Sequence, residues 1–134
     1  MEENPRMVPL DTIAFDGRDF DITVAEQQKH VPFGIKRIYW LRSRSESMTR
    51  GNHAHRNSHQ LLVSMGGQMR VHVTNPQGAE RTELLDDDGL GLYIPPNHWL
   101  RIEMAPHSVL LCLSSHLFGE QVTTYDFNDF LHSP

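Results

Sequence analysis

One cysteine in 134 residues, Cys112, leaves no partner for an internal disulfide. It lies in the apolar run 108–115, which suits an inert core thiol. Basic residues are also few. Twelve Lys and Arg stand against seventeen Asp and Glu, a formal charge of −5, so no broad cationic surface is available for nucleic acid. Long hydrophobic runs are missing too: the run 108–115 falls far short of the roughly 20 residues that span a bilayer. Met1-Glu2-Glu3-Asn4-Pro5 lacks the basic and then apolar stretches of a secretory signal. The expectation is a soluble, cytoplasmic protein with no membrane or nucleic-acid partner. Residues 1–134 read as one domain, with the polar residues 1–8 loose.

Uninterrupted stretches of helical length are scarce as well. Gly, Pro and Asx clusters cut the chain into short pieces, and only residues 125–131 look helical. Residues 35–41 (Ile-Lys-Arg-Ile-Tyr-Trp-Leu) are β-branched and aromatic, as in a strand. Residues 60–65 and 68–73 flank Gly66-Gly67, which reads as a tight hairpin because both central positions accept positive φ. Met69, Val71 and Val73 alternate with Gln68, Arg70 and His72, the period of a sheet buried on one face. Asn75-Pro76-Gln77-Gly78 and Asp86-Asp87-Asp88-Gly89 read as turns. Further strands are expected at 80–85, 90–94, 99–104 and 108–115. Nine or ten short strands separated by turns predict an all-β sandwich or barrel.

Histidine is the residue in excess. There are nine, and His53, His55 and His59 fall within seven positions. On an extended strand residues two apart share a face, so His53 and His55 are expected to project together. Such a pair suits metal ligation by neutral imidazole or proton transfer near neutral pH; it also occurs in exposed polar turns. Period two likewise puts Arg37, Tyr39 and Leu41 on one strand face. A guanidinium and a phenol there fit a polar pocket, the first matching phosphate in a bidentate fork and the second bonding a sugar or enediolate oxygen.

His53-Ala54-His55, three residues, His59, six residues and Gly66 resembles the first sequence motif of the cupin barrel, with His59 where a glutamate usually stands. Gly89, Pro95 and Asn97 give a weaker echo of the second motif, and Leu100 stands where that motif carries a metal-binding histidine. A larger set of blocks is more specific: Pro32-Phe33-Gly34-Ile35-Lys36-Arg37-Ile38-Tyr39, Arg50-Gly51-Asn52-His53-Ala54-His55, Gln60-Leu61-Leu62-Val63, and Gly91-Leu92-Tyr93-Ile94-Pro95-Pro96 with Trp99. Over residues 15–118 this order resembles the nucleotide-sugar 3,4-ketoisomerase family.

That resemblance implies an all-β cupin double-stranded β-helix, a jelly-roll barrel, commonly a homodimer and requiring no metal or other cofactor. It implies transfer of a keto group from C4 to C3 of dTDP-4-keto-6-deoxyglucose or a similar nucleotide-linked sugar. His53 and His55 are then the catalytic pair, and Arg37 and Arg50 face the diphosphate or sugar. Tyr39, Gln60, Tyr93 and Trp99 are further candidates for substrate contact, the last two equally suited to a core. The family carries an Asp-Tyr-Ile-Arg block near its C-terminus where this chain has Val122-Thr123-Thr124-Tyr125. Two other readings stand beside the isomerase: a non-catalytic sugar-nucleotide-binding cupin, and a metal-dependent cupin enzyme using His53, His55 and His59.

Overall fold

The structure, a computed structural model, describes residues 3–132. The turn-punctuated segments become β1 (Arg6–Pro9), β2 (Asp11–Ala14), β3 (Asp21–Val24), β4 (Arg37–Arg42), β5 (Met48–His55) and β6 (Gln60–Gly66). They continue as β7 (Met69–Thr74), β8 (Glu80–Leu85), β9 (Leu90–Ile94), β10 (His98–Met104), β11 (Val109–Ser114) and β12 (Thr123–Thr124). A 3-10 turn (Phe118–Glu120) and one short helix, α1 (Phe127–His132), complete the chain. Asp126 caps that helix by accepting from the backbone N–H groups of Asn128 and Asp129 at 2.9 and 3.1 Å. The cap starts the helix two residues later than the apolar pattern predicts.

Two five-stranded antiparallel sheets, ordered β1-β9-β6-β11-β4 and β12-β5-β10-β7-β8, face each other. Between them lies a core of alternate residues from both sheets: Leu62, Leu92, Ile94, Leu110 and Cys112 against Val71, Val73, Leu100, Ile102 and Met104. This is the expected all-β jelly roll with a short C-terminal helix, but its sheets are not joined into a closed barrel. β2 and β3 pair only with each other, as a separate ribbon.

Two local expectations are corrected. Gly66-Gly67 does not make a hairpin, because β6 and β7 belong to opposite sheets and the pair is a crossing between layers. The second glycine serves close approach: it holds φ +80°, and a Cβ there would come 2.3 Å from the Ser108 hydroxyl. Nor are residues 3–8 loose. Arg6, Met7 and Val8 pair with Tyr93, Leu92 and Gly91, and the Glu3 carboxylate accepts from the Tyr93 hydroxyl at 2.8 Å. Residues 1 and 2 lie outside the described residues. By contrast the Asn75–Gly78 turn forms as expected, its Asn75 side chain accepting from the N–H groups of Gln77 and Ala79.

Candidate active site

The open end of the interlayer space is bounded by β4 and β6 on one side and β5 on the other. Along β4 the burial alternates as period two requires: Arg37, Tyr39 and Leu41 turn inward, while Ile38 and Trp40 are 56% and 60% exposed. On β6, Gln60 faces inward beside Leu62, and its amide donates to the Tyr39 hydroxyl at 3.2 Å. The Arg37 guanidinium lies over the Tyr39 ring, 4.3 Å from its centroid, with Phe118 5.1 Å from the same guanidinium.

Strand β5 delivers the histidines, and it does so through a bulge. The register against β10 runs His55–His98, Ala54–Trp99 and His53–Leu100, then jumps to Gly51–Arg101 and Arg50–Ile102. Asn52 is the extra residue. Gly51 and Asn52 both hold positive φ, +98° and +60°, and a Cβ on Gly51 would sit 2.6 Å from the Leu100 carbonyl oxygen. The bulge resets the alternation, so Arg50, His53 and His55 all project to the inner face, whereas strict period two would send Arg50 outward.

The two imidazoles meet. His53 Nε2 and His55 Nε2 are 3.2 Å apart. His55 Nδ1 lies 2.8 Å from the Thr123 hydroxyl. The Tyr125 ring, 76% exposed, stands 5.9 Å from that of His53. Desolvation is the main cause holding His53 below the ordinary histidine range, with Arg50 adding to it. Desolvation, then the charges of His53 and Arg37, pull His55 down to about 4. Both rings are therefore neutral at pH 7. Burial, reinforced by Cys112, keeps the Tyr39 phenol protonated far above its usual value, and burial pushes the Cys112 thiol up to about 12. Cys112 is an inert core thiol, as its run implies, but its neighbour is the pocket phenol. A cavity of about 50 Å³ lies beneath, lined by Tyr39, Arg50, His53, Gln60, Leu100 and Cys112 among others.

Six of the residues singled out in the sequence lie together here: His53, His55, Arg37, Tyr39, Arg50 and Gln60. Two others lie elsewhere. Tyr93 alternates with Leu92 and Ile94 and lies on the outer face of its sheet, buried with Val31, Leu61, Val63 and Leu113. Trp99 faces outward from β10 and packs with Ala54 and Phe130 under α1, its ring 5.2 Å from that of Phe127. Neither reaches the pocket, because each sits one position out of phase with the inward set. The three-histidine set of the metal reading also fails to assemble. His59 precedes Gln60 and takes the opposite face, where its Nδ1 donates to Tyr93 at 2.7 Å and its ring stacks on Phe33. Among the described residues no group of three or more His, Cys, Asp or Glu side chains is placed to hold a metal ion. Thr123, Tyr125 and Phe118 were not anticipated; they arrive from the C-terminal segment.

A two-sheet jelly roll with paired imidazoles, a guanidinium and a phenol at its open end defines the class: a small cupin-like protein whose polar site is built for hydrogen-bonding and proton exchange. Its family can be stated. The model of the family described as "FdtA: WxcM-like, C-terminal" matches residues 3–134, and the chain belongs to that family. It is 28% identical over 110 residues to TDP-4-oxo-6-deoxy-alpha-D-glucose-3,4-oxoisomerase of Aneurinibacillus thermoaerophilus, covering 81% of this chain and 78% of that one. The structure of QdtA, a sugar 3,4-ketoisomerase from Thermoanaerobacterium thermosaccharolyticum in complex with TDP, superposes with a TM-score of 0.86 at 28% identity over 98% of this chain and 95% of that one. WlaRB, a TDP-quinovose 3,4-ketoisomerase from Campylobacter jejuni, gives 0.88 at 26% identity over 98% and 100%.

Proposed function

We propose that the protein is a nucleotide-sugar 3,4-ketoisomerase, moving the keto group of a TDP-linked 4-keto-6-deoxyhexose from C4 to C3. The observation that carries this reading is the neutral imidazole pair, 3.2 Å apart, at the mouth of a fold shared with enzymes of that activity. A C4 ketone acidifies the C3–H bond because the resulting carbanion delocalises onto oxygen. His53 takes the C3 proton, leaving an enediolate, and His55 delivers a proton to C4. The hydroxyl proton passes from O3 to O4, and the contact between the rings returns the abstracted proton from His53 to His55, closing the cycle. Neutral imidazoles are suited to donating toward an enediolate, and each positioned proton transfer contributes about 10²–10⁴-fold.

Tyr39, held as a phenol, is suited to hydrogen-bond an enediolate oxygen, with Gln60 fixing its orientation. Arg37 and Arg50 supply the cations for a diphosphate. The 50 Å³ beneath the histidines accommodates water rather than a hexose, so the sugar lies across the mouth, against Arg37, His55 and Tyr125. No cofactor enters this scheme. A cytoplasmic setting, which keeps a free thiol such as Cys112 reduced, accords with it.

A homodimer is part of the same reading. Edge strand β4 exposes Ile38 and Trp40, and the β2–β3 ribbon exposes Ile13 and Ile22, apolar area that a second copy would cover. Among the described residues no helix is long and apolar enough to cross a membrane.

Incubation of the protein with TDP-4-keto-6-deoxyglucose, followed by proton NMR, tests the activity. A new 3-keto sugar is the expected product. Tight binding with no conversion would replace the isomerase with a binding module.

A further inference from the structure

Arg37 holds its place at the mouth without an acid. On the other sheet Arg81 and Arg101 are ion-paired to Glu83 and Glu103, whereas among the described residues no carboxylate pairs with Arg37. Its guanidinium is held instead by two rings, Tyr39 at 4.3 Å and Phe118 at 5.1 Å. Phe118 is 75% exposed, so burial does not account for its position, but the turn that carries it is braced. The Leu117 N–H donates to the Glu120 carboxylate at 2.9 Å, and the Glu120 N–H returns to the Leu117 carbonyl at 3.0 Å. The Asn57 amide donates to the Glu120 carbonyl at 2.9 Å. Lys36, next to Arg37 in the chain, lies 3.5 Å from the same Glu120 carboxylate and ties the turn to the start of β4.

A ring and a carboxylate hold a guanidinium differently. A carboxylate cancels its charge and takes up its N–H donors in a bidentate pair. An aromatic face attracts the cation and leaves both charge and donors available. We propose that Phe118 is a positioning residue: together with Tyr39 it fixes the Arg37 guanidinium at the mouth, charge and donors intact, for the diphosphate of the substrate. This role rests on the nucleotide-sugar reading of the site. Tyr39 shares a strand with Arg37 and is itself fixed by Gln60. Phe118 supplies the second hold from a separate segment, and its exposure lets a substitution remove that hold without opening the core.

The test is calorimetric titration of the full chain with TDP, and with inorganic pyrophosphate as its competitor. Phe118→Leu should weaken both ligands by about three- to tenfold, and Phe118→Tyr should keep both within about twofold of wild type. In an Arg37→Met background the change Phe118→Leu should add less than about twofold, since the contact it removes is already gone. In turnover, KM should rise in Phe118→Leu with kcat held within about twofold, and Phe118→Tyr should restore KM. Weakening of TDP but not of pyrophosphate overturns the proposal and makes the ring a platform for the base. Undiminished binding in Phe118→Leu, or an equal loss in the Arg37→Met background, overturns it too, as does a wild type that pyrophosphate does not compete for. If Arg37→Met does not fold or binds too weakly to titrate, the two ligands with Phe118→Leu decide alone. The expected binding losses with no turnover in wild type would refute the isomerase reading and leave the role of Phe118 in holding Arg37 intact.

Discussion

Arg50 and His53 are three positions apart on one strand and still face the same cavity, because Asn52 is bulged out of the ladder between them. The bulge depends on Gly51, whose φ of +98° and contact with the Leu100 carbonyl admit no side chain. Gly51→Ala should therefore cost about 1–3 kcal/mol for the backbone conformation alone, with more from the clash. Urea unfolding measures the loss. Activity should drop further than stability explains, since the same change moves Arg50 and His53 relative to each other.

Both histidines titrate below the ordinary value near 6.5, His55 at about 4. The acid limb of kcat/KM should thus lie below the ordinary histidine value rather than at it, as a pH–rate profile would show. The same shifts act on stability. Between pH 6.5 and 4 the unfolded chain binds protons that the folded rings refuse, so stability falls on acidification. For His55 this amounts to about 1–2 kcal/mol after allowance for solvent screening of a partly exposed ring. His55→Gln should show a correspondingly shallower loss over that window in thermal unfolding at stepped pH.

Trp99 is a core residue of the outer layer. Trp99→Ala should cost about 3 kcal/mol or more through lost contact with Phe127 and Phe130. Calorimetric titration with TDP at a temperature where the variant is folded should give an unchanged dissociation constant. A tenfold weakening would return Trp99 to the binding site.

Cys112 is 2% exposed with its thiol pushed up to about 12. A thiol-reactive disulfide reagent at pH 8 should leave the native protein unmodified and label it fully in denaturant.

Much of the site is legible in the sequence because period two is a local rule: it places His53 with His55 and Arg37 with Tyr39 wherever the strands pair. The same rule fails at Arg50, where a bulge resets the phase; the only trace is Gly51-Asn52, two residues that tolerate positive φ. Tyr93 and Trp99 were misplaced for a different reason. An apolar aromatic on a strand buried on both faces carries no mark of which layer it faces. Gly66-Gly67 has the composition of a hairpin, yet β6 pairs with β9 and β11 while β7 pairs with β8 and β10, so no ladder joins the two strands that flank it. Thr123 was out of reach on the same ground, 68 residues from the ring it bonds. Long-range pairing decided what local pattern left open.

The central claim is that His53 abstracts the C3 proton of the sugar. It is tested most directly by following the C3 proton signal of TDP-4-keto-6-deoxyglucose in heavy water with wild-type protein and with His53→Asn. Wild type should lose that signal as the proton leaves C3 during turnover, and the variant should leave it in place while still binding TDP. Exchange at the wild-type rate in the variant would contradict the account.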